Sequence, residues 1–216
     1  MKELDIDSWH RKDIYTTFRR FQFPHFAVSA DINVSELAAF SKRHKLSFYR
    51  LMLYIVCRAG NGIQAFRLRL RPGGVIEHEV VGIAPAFGTK PEGRYNFCTA
   101  PYHENPAEFI RVYNEKEDRS RGLDHLYLED DHKDDSLYVS CLPWLRLTSL
   151  INPVAAAEDS IPRITWGKYS GSGSDVTMMV SLQMHHALAD GYDAALFYAG
   201  LQKLADSPRD VFAALL

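Results

Sequence analysis

Val176-Thr177-Met178-Met179-Val180-Ser181-Leu182-Gln183-Met184-His185-His186-Ala187-Leu188-Ala189-Asp190-Gly191 changes character partway along its length. Through His185 it alternates: Val176, Met178, Val180, Leu182 and Met184 fall on one face, and Thr177, Met179, Ser181, Gln183 and His185 on the other. That two-residue period is a strand's. Asp190 and Gly191 then stand where a helix cap should, and Leu196, Phe197, Leu201 and Leu204 supply an apolar stripe up to a stop at Ser207-Pro208. A strand that delivers two histidines directly into a helix start is the feature around which the remaining segments are arranged.

Working outward, Phe26 to Ile32 reads as another strand, preceded by a helix from Trp9 to Arg20 that Asp7 or Ser8 could cap. Asn33 opens a helix with Leu37, Ala38 and Phe40 on its apolar face. Ser47 begins a more buried one through Phe48, Leu51, Met52, Ile55, Val56 and Ala59, halted by Asn61-Gly62. Phe66 to Leu70 and Val75 to Val81 flank the turn Arg71-Pro72-Gly73-Gly74 as a hairpin. Asn105-Pro106-Ala107-Glu108 predicts a helix through Phe109, Ile110 and Tyr113, because it places a cap, a first-turn proline and an acid in order. Leu137 to Leu142 and Ile161 to Tyr169 complete the strands. The charged stretch Glu115 to Asp135, with its acidic run from Glu129 to Asp135, reads as solvated surface, since a calcium loop needs alternate oxygen ligands around a central glycine.

The chain has 216 residues, 46% hydrophobic and 24% charged, which argues for one folded domain over residues 1–216. A formal charge of −2 leaves no excess of cations for a phosphate backbone, so nucleic acid is not an expected partner. Acidic residues near the amino terminus and the absence of an apolar run of about 18 residues argue against export and a membrane. Cys57, Cys98 and Cys141 are odd in number, far apart and set in apolar sequence, which predicts reduced thiols and a cytoplasmic location.

Adjacent histidines on an extended segment point to opposite sides, so they cannot grip one metal as an i, i+4 helical pair does; no metal is expected. A single imidazole at a strand end, followed four residues on by a carboxylate that fixes the turn, suits a general base near pH 7. A hydrogen-bonded core histidine followed by a helix-capping aspartate accounts for the same residues equally well. No glycine-rich phosphate loop is present.

The sequence resembles the chloramphenicol acetyltransferase family, whose signature is His-His-x-x-x-Asp-Gly before the last helix. Four further elements occur in the same order. Ser8 to Asp13 is similar to the family's Trp-x-Arg segment, and Ser47-Phe48-Tyr49 to its Phe-Tyr helix start. Leu142-Pro143-Trp144 through Thr148-Ser149 resembles its Pro-Trp-x-x-x-x-Ser, and Thr165 to Tyr169 its Thr-x-x-Lys-Tyr. The resemblance implies a two-layer α/β sandwich with a mostly antiparallel mixed sheet, in a homotrimer with active sites between subunits. It implies acetyl-CoA as co-substrate and the primary hydroxyl of chloramphenicol as acceptor, hence antibiotic resistance. His186 would be the general base, Ser149 the donor to the oxyanion, Thr165 a support acting through water, and Arg11 with Asp190 a positioning ion pair, with His185 structural. Lys168 and Tyr169 would meet the phosphate and adenine regions of coenzyme A, and Phe18 and Phe26 would line the acceptor pocket. Departures from the pattern are Ser47 for a basic residue, Phe18 for a tyrosine, Ala189 for a cysteine, Tyr192 for a phenylalanine and Asp193 for a histidine. They keep open another hydroxyl acceptor; a non-catalytic trimeric relative is the remaining alternative.

Overall fold

Leu51, Met52, Leu53, Tyr54, Ile55, Val56 and Cys57 are consecutive in one helix, and none has exposed surface. A helix apolar all round must be covered on every side, and the architecture is built around it. The computed structural model describes residues 1–90, 92–123, 125–126 and 133–216. In chain order the elements are β1 (Lys2–Glu3), α1 (Lys12–Phe18), β2 (His25–Asn33), α2 (Ser35–His44), α3 (Phe48–Asn61), α4 (Gln64–Arg67), β3 (Leu68–Arg71), β4 (Gly74–Glu77) and β5 (Gly82–Thr89). They continue as β6 (Arg94–Phe97), α5 (Pro106–Arg121), β7 (Ser136–Leu142), β8 (Arg163–Gly167), β9 (Ser170–Ser172), β10 (Asp175–His185), α6 (Gly191–Asp206) and α7 (Pro208–Val211).

The main sheet has the order β2-β10-β8-β7-β5-β6, with β9 also pairing β10; among the described residues only β5–β7 and β7–β8 are parallel. A mostly antiparallel mixed sheet covered by helices is the expected α/β class. A second sheet, β1-β4-β3, lies beside it. Helix starts follow local chemistry. Ser47 accepts from the Arg50 amide to cap α3, and Asn105 caps α5 through the Ala107 and Glu108 amides. Asn61 ends α3 by pairing its amide side chain with both the N–H and the C=O of Val81, at 2.8 Å each.

Several expectations change. The first helix spans only Lys12–Phe18 with Arg11 at its N-cap, because the Ser8 hydroxyl donates to Asp5 instead of capping a helix. Phe66 belongs to the short turn of α4, where it stacks on Phe197 at 4.9 Å. The return strand of the hairpin stops at Glu77, since the residues after it leave β3 and Val81 pairs with Asn61. Strands β5 and β6 have no counterpart in the sequence pattern: Gly82, Pro85 and Gly88 mask the period of β5. The charged stretch is not simply surface. Glu117 is buried against Arg50 and Arg121, and Asp134 accepts from Arg71 and His78; Glu129 to His132 lie outside the described residues. The buried stripe of α6 is Ala194, Phe197, Leu201 and Ala205, with Leu196 exposed. Cys57 and Cys98 are buried, Cys141 is half-buried, and all three are free thiols. Among the described residues no helix is long and apolar enough to cross a membrane.

Candidate active site

Strand β10 runs antiparallel between β2 and β8, with Met184 opposite Phe26, His185 opposite His25, and Ser181 opposite Thr165. Val180, Leu182 and Met184 enter the core, as alternation requires. The polar face is buried as well, because residues 149–161 lie across it. The Ser181 hydroxyl donates to Leu150 O at 2.7 Å, Gln183 Oε1 accepts from the Asn152 amide at 2.6 Å, and Gln183 Nε2 donates to Asn152 O at 3.3 Å. Thr165 Oγ1 donates to Asn152 Oδ1 at 3.3 Å. His185 is buried on this face, with Nδ1 accepting from the Ala187 amide at 3.1 Å and its ring edge-on to His25. Burial, seconded by the nearby His25, pushes its pKa down to about 4, so the ring is neutral.

His186 turns the other way. Its backbone N–H bonds Pro24 O at 2.9 Å, and its Nδ1 lies 3.1 Å from Ala189 O. A carbonyl only accepts, so Nδ1 carries the hydrogen and Nε2 of the neutral ring keeps its lone pair. Phe18 stacks nearly parallel to the imidazole, 4.0 Å between centroids and 11° between planes, and Phe26 packs at 4.8 Å.

The turn after His186 leads into the cap of α6. Asp190 Oδ1 accepts from the Tyr192 amide at 2.8 Å, and Asp193 Oδ2 accepts from the Asp190 amide at 2.9 Å, completing a reciprocal capping box. Arg11 Nη1 reaches Asp190 Oδ2 at 2.7 Å and Asp193 Oδ2 at 3.7 Å. Burial alone would raise the Asp190 pKa, but the Arg11 hydrogen bond, the Tyr192 amide and the Arg11 charge hold it below its ordinary value. Arg11 Nε and Nη2 are buried and lack partners. Arg11 and Phe18 are seven residues apart, two turns of helix, so α1 presents both along one side: the first to Asp190, the second to His186.

The profile of the chloramphenicol acetyltransferase family matches residues 1–202. The chain belongs to the chloramphenicol acetyltransferase family. The chloramphenicol acetyltransferase of Staphylococcus aureus is 26% identical over 211 residues, covering 96% of this chain and 97% of the relative. That of Klebsiella sp is 25% identical over 206 residues, 94% of this chain and 93% of the relative. A solved chloramphenicol acetyltransferase structure matches with a TM-score of 0.87 at 25% identity, covering 95% of this chain and all of that one. The cubic core of the pyruvate dehydrogenase multienzyme complex, at TM-score 0.67 and 19% identity, covers 98% of this chain and 93% of that one and shares the fold. Membership in the chloramphenicol acetyltransferase family places the chain among acyltransferases.

Of the residues by which the chain resembles chloramphenicol acetyltransferases, Arg11, Asp190 and His186 gather at the β10–α6 junction, together with Phe18 and Phe26. Thr165 is buried one strand away, on β8, and meets Asn152. Ser149 is exposed and does not hydrogen-bond to His186. Lys168 is exposed just beyond β8, its backbone N–H bonded to Leu145 O, and Tyr169 packs at 5.1 Å on Phe48 at the start of α3. Gly167 has no room for a side chain there: an added Cβ would stand 2.7 Å from Leu145 O. Two site residues have no role that sequence reasoning assigned. Asn152 carries no local signal, whereas Asp193 is legible as an acid three residues after a capping Asp.

Proposed function

We propose that the chain is an acetyl-CoA-dependent O-acetyltransferase that acetylates the primary hydroxyl of chloramphenicol by direct transfer and so confers resistance. The observation that carries this reading is the His186 ring, whose Nδ1–H is committed to Ala189 O, with Phe18 stacked on it and Phe26 packed beside it. Nε2 takes the hydroxyl proton as that oxygen attacks the thioester carbonyl. The C–O bond forms, a tetrahedral oxyanion results, and Ser149 donates to it. Loss of one such donor costs about 3 kcal/mol. Collapse breaks the C–S bond, and the sulfur leaves with the proton from His186 as free coenzyme A. Thr165 supports the site through water, Arg11 and Asp190 keep the turn rigid, and Lys168 and Tyr169 receive the coenzyme A phosphate and adenine regions.

In this reading one domain per chain, residues 1–216, assembles into a cytoplasmic homotrimer in which His186 of one chain faces the acceptor pocket of its neighbour. Phe18, stacked on the same chain's His186, and Phe26, tilted against it, form the near wall of that pocket. Support for the assembly comes from Trp144 and Ile151, each 78% exposed, and Phe23, 86% exposed: large apolar surfaces that a second chain would cover. Free cysteines accord with the cytoplasm. A second reading keeps the chemistry and changes the acceptor to another hydroxyl compound. Phe18 favours it, because a ring without a hydroxyl lies against the imidazole where the family usually has a tyrosine.

The test is release of free thiol from acetyl-CoA, with and without chloramphenicol, by the native protein and His186→Ala. Release that requires both chloramphenicol and His186 is expected. A folded protein that binds acetyl-CoA but does not respond to chloramphenicol removes the acceptor assignment. Full activity in His186→Ala removes the mechanism.

A further inference from the structure

Both carboxylate oxygens of Asp190 are engaged: Oδ1 accepts from the Tyr192 amide and Oδ2 from Arg11. Its backbone N–H is held by a different residue, Asp193, at 2.9 Å. That N–H belongs to the same peptide unit as the Ala189 carbonyl, which receives the Nδ1–H of His186 at 3.1 Å. A peptide unit is planar and rigid, with its N–H and C=O pointing in opposite directions. Holding one end therefore aims the other. A carboxylate on the N–H also polarises the unit and makes its carbonyl oxygen a better acceptor.

We propose that Asp193 is a positioning residue for the acyl transfer, acting on the His186 imidazole through the Ala189–Asp190 peptide. The inference rests on His186 being the base. Its logic is that of a carboxylate orienting a histidine directly, with a peptide unit inserted between them. Asp193 orients the carbonyl, the carbonyl selects the tautomer with hydrogen on Nδ1, and Nε2 is left basic and fixed in direction. Three features converge on Asp193. It lies in the first turn of α6, where the helix field favours an acid. Arg11 Nη1 stands 3.7 Å from its Oδ2 and balances its charge. Among the described residues its hydrogen bond closes the only capping box, so the peptide it holds is fixed at both ends.

The experiment compares the native protein with Asp193→Ala, Asp193→Asn and, as a control for loss of a helix cap far from the site, Asn105→Ala. Two quantities are read well below the melting temperature: kcat and KM for acyl transfer, and the 15N chemical shifts of the His186 ring nitrogens in the protein without substrates. For Asp193→Ala, kcat should fall between roughly tenfold and a hundredfold with KM nearly unchanged. The His186 shifts should move from the Nδ1–H pattern toward a mixture of tautomers. Asp193→Asn, which can still accept from the Asp190 amide, should recover most of both. Asn105→Ala should lower the melting temperature and leave kcat and the shifts alone. Unmoved His186 shifts in both Asp193 variants would overturn the proposal, as would a loss confined to KM or matched by Asn105→Ala. Should Asp193→Ala fail to fold, native values of kcat and shifts at Asp193→Ser, whose hydroxyl ends a bond length short of the Asp190 N–H that Asp193 reaches at 2.9 Å, overturn it equally. Failure of His186→Ala to lose activity is a separate result that removes the base assignment and leaves the tautomer measurement standing.

Discussion

Under residues 149–161, the polar side chains of β10 are paired off: Ser181 with Leu150 O, Gln183 twice with the Asn152 backbone, and His185 with the Ala187 amide, while Asn152 Nδ2 on that side is buried without a partner among the described residues. One residue further along the chain the accounting is different. Around His186, Arg11 buries two nitrogens with no partner, and the imidazole keeps an uncommitted Nε2 while packed on Phe18 and Phe26. Both regions are polar and well covered, and they are joined by the peptide between His185 and His186. A network with its donors and acceptors matched has one arrangement and serves to hold backbone in place. A cluster with unmatched groups retains polar capacity for something else. The contrast accords with the opposite work proposed for the two adjacent histidines.

The sharpest way to break this contrast is to remove each histidine. His186→Ala should lower turnover by roughly 10^2- to 10^4-fold while leaving the melting temperature close to native, measured by thiol release and calorimetry. A variant that instead unfolds would make His186 as structural as its neighbour.

Acid should act on the paired side first. His185 titrates near 4 in the folded protein and near 6.5 unfolded. Above pH 6.5 both states are neutral and the group contributes nothing to the pH dependence. As the pH falls below 6.5 the unfolded chain takes up the proton first, so stability declines, by roughly 3 kcal/mol at most once the pH is below 4. Asp190, held below its ordinary value, adds a loss only at lower pH, as it is protonated. Urea midpoints between about pH 7 and 4 should show the decline, and His185→Gln should flatten it.

Arg11→Ala leaves Asp190 and Asp193 side by side without their cation. The Asp190 side chain is 30% exposed, so the cost is discounted from that of a fully buried pair to about 2 kcal/mol in urea unfolding, with a fall in kcat. Unchanged kcat would separate Arg11 from the site. Ser181→Ala strands Leu150 O and should cost about 1 kcal/mol with Nε2 chemistry untouched. A large loss of kcat there would show that residues 149–152 are tied to catalysis more tightly than Ser149's exposed position suggests.

Much of the fold is readable wherever a short-range rule applies. β10, the Ser47 cap of α3 and the Asn105-Pro106 start of α5 all stand where alternation or capping puts them. Reading fails where partners are distant. Glu117 looks solvated in sequence and is buried because Arg50 and Arg121 reach it, and Asp134 is engaged by Arg71 and His78 from the hairpin region. β5 is hidden in the sequence because Pro85 and two glycines erase its period, while its place in the sheet comes from pairing with β7 and β6. In the site, the motif around His186 and Asp190 is plain. That Arg11 meets Asp190, 179 positions away, comes from family resemblance and from nothing local.

By itself, the sequence determined that residues 176–191 run from strand to helix, that the two histidines diverge, and that Asp190 caps α6, since strand alternation and capping act within a few residues. Only the tertiary structure decided which histidine is enclosed, that Phe18 and Phe26 close on the other, and that Arg11 reaches Asp190 and Asp193. Those outcomes depend on which segments pack across each face of β10, and packing over such distances is set by the whole chain's burial of apolar surface and not by any local pattern.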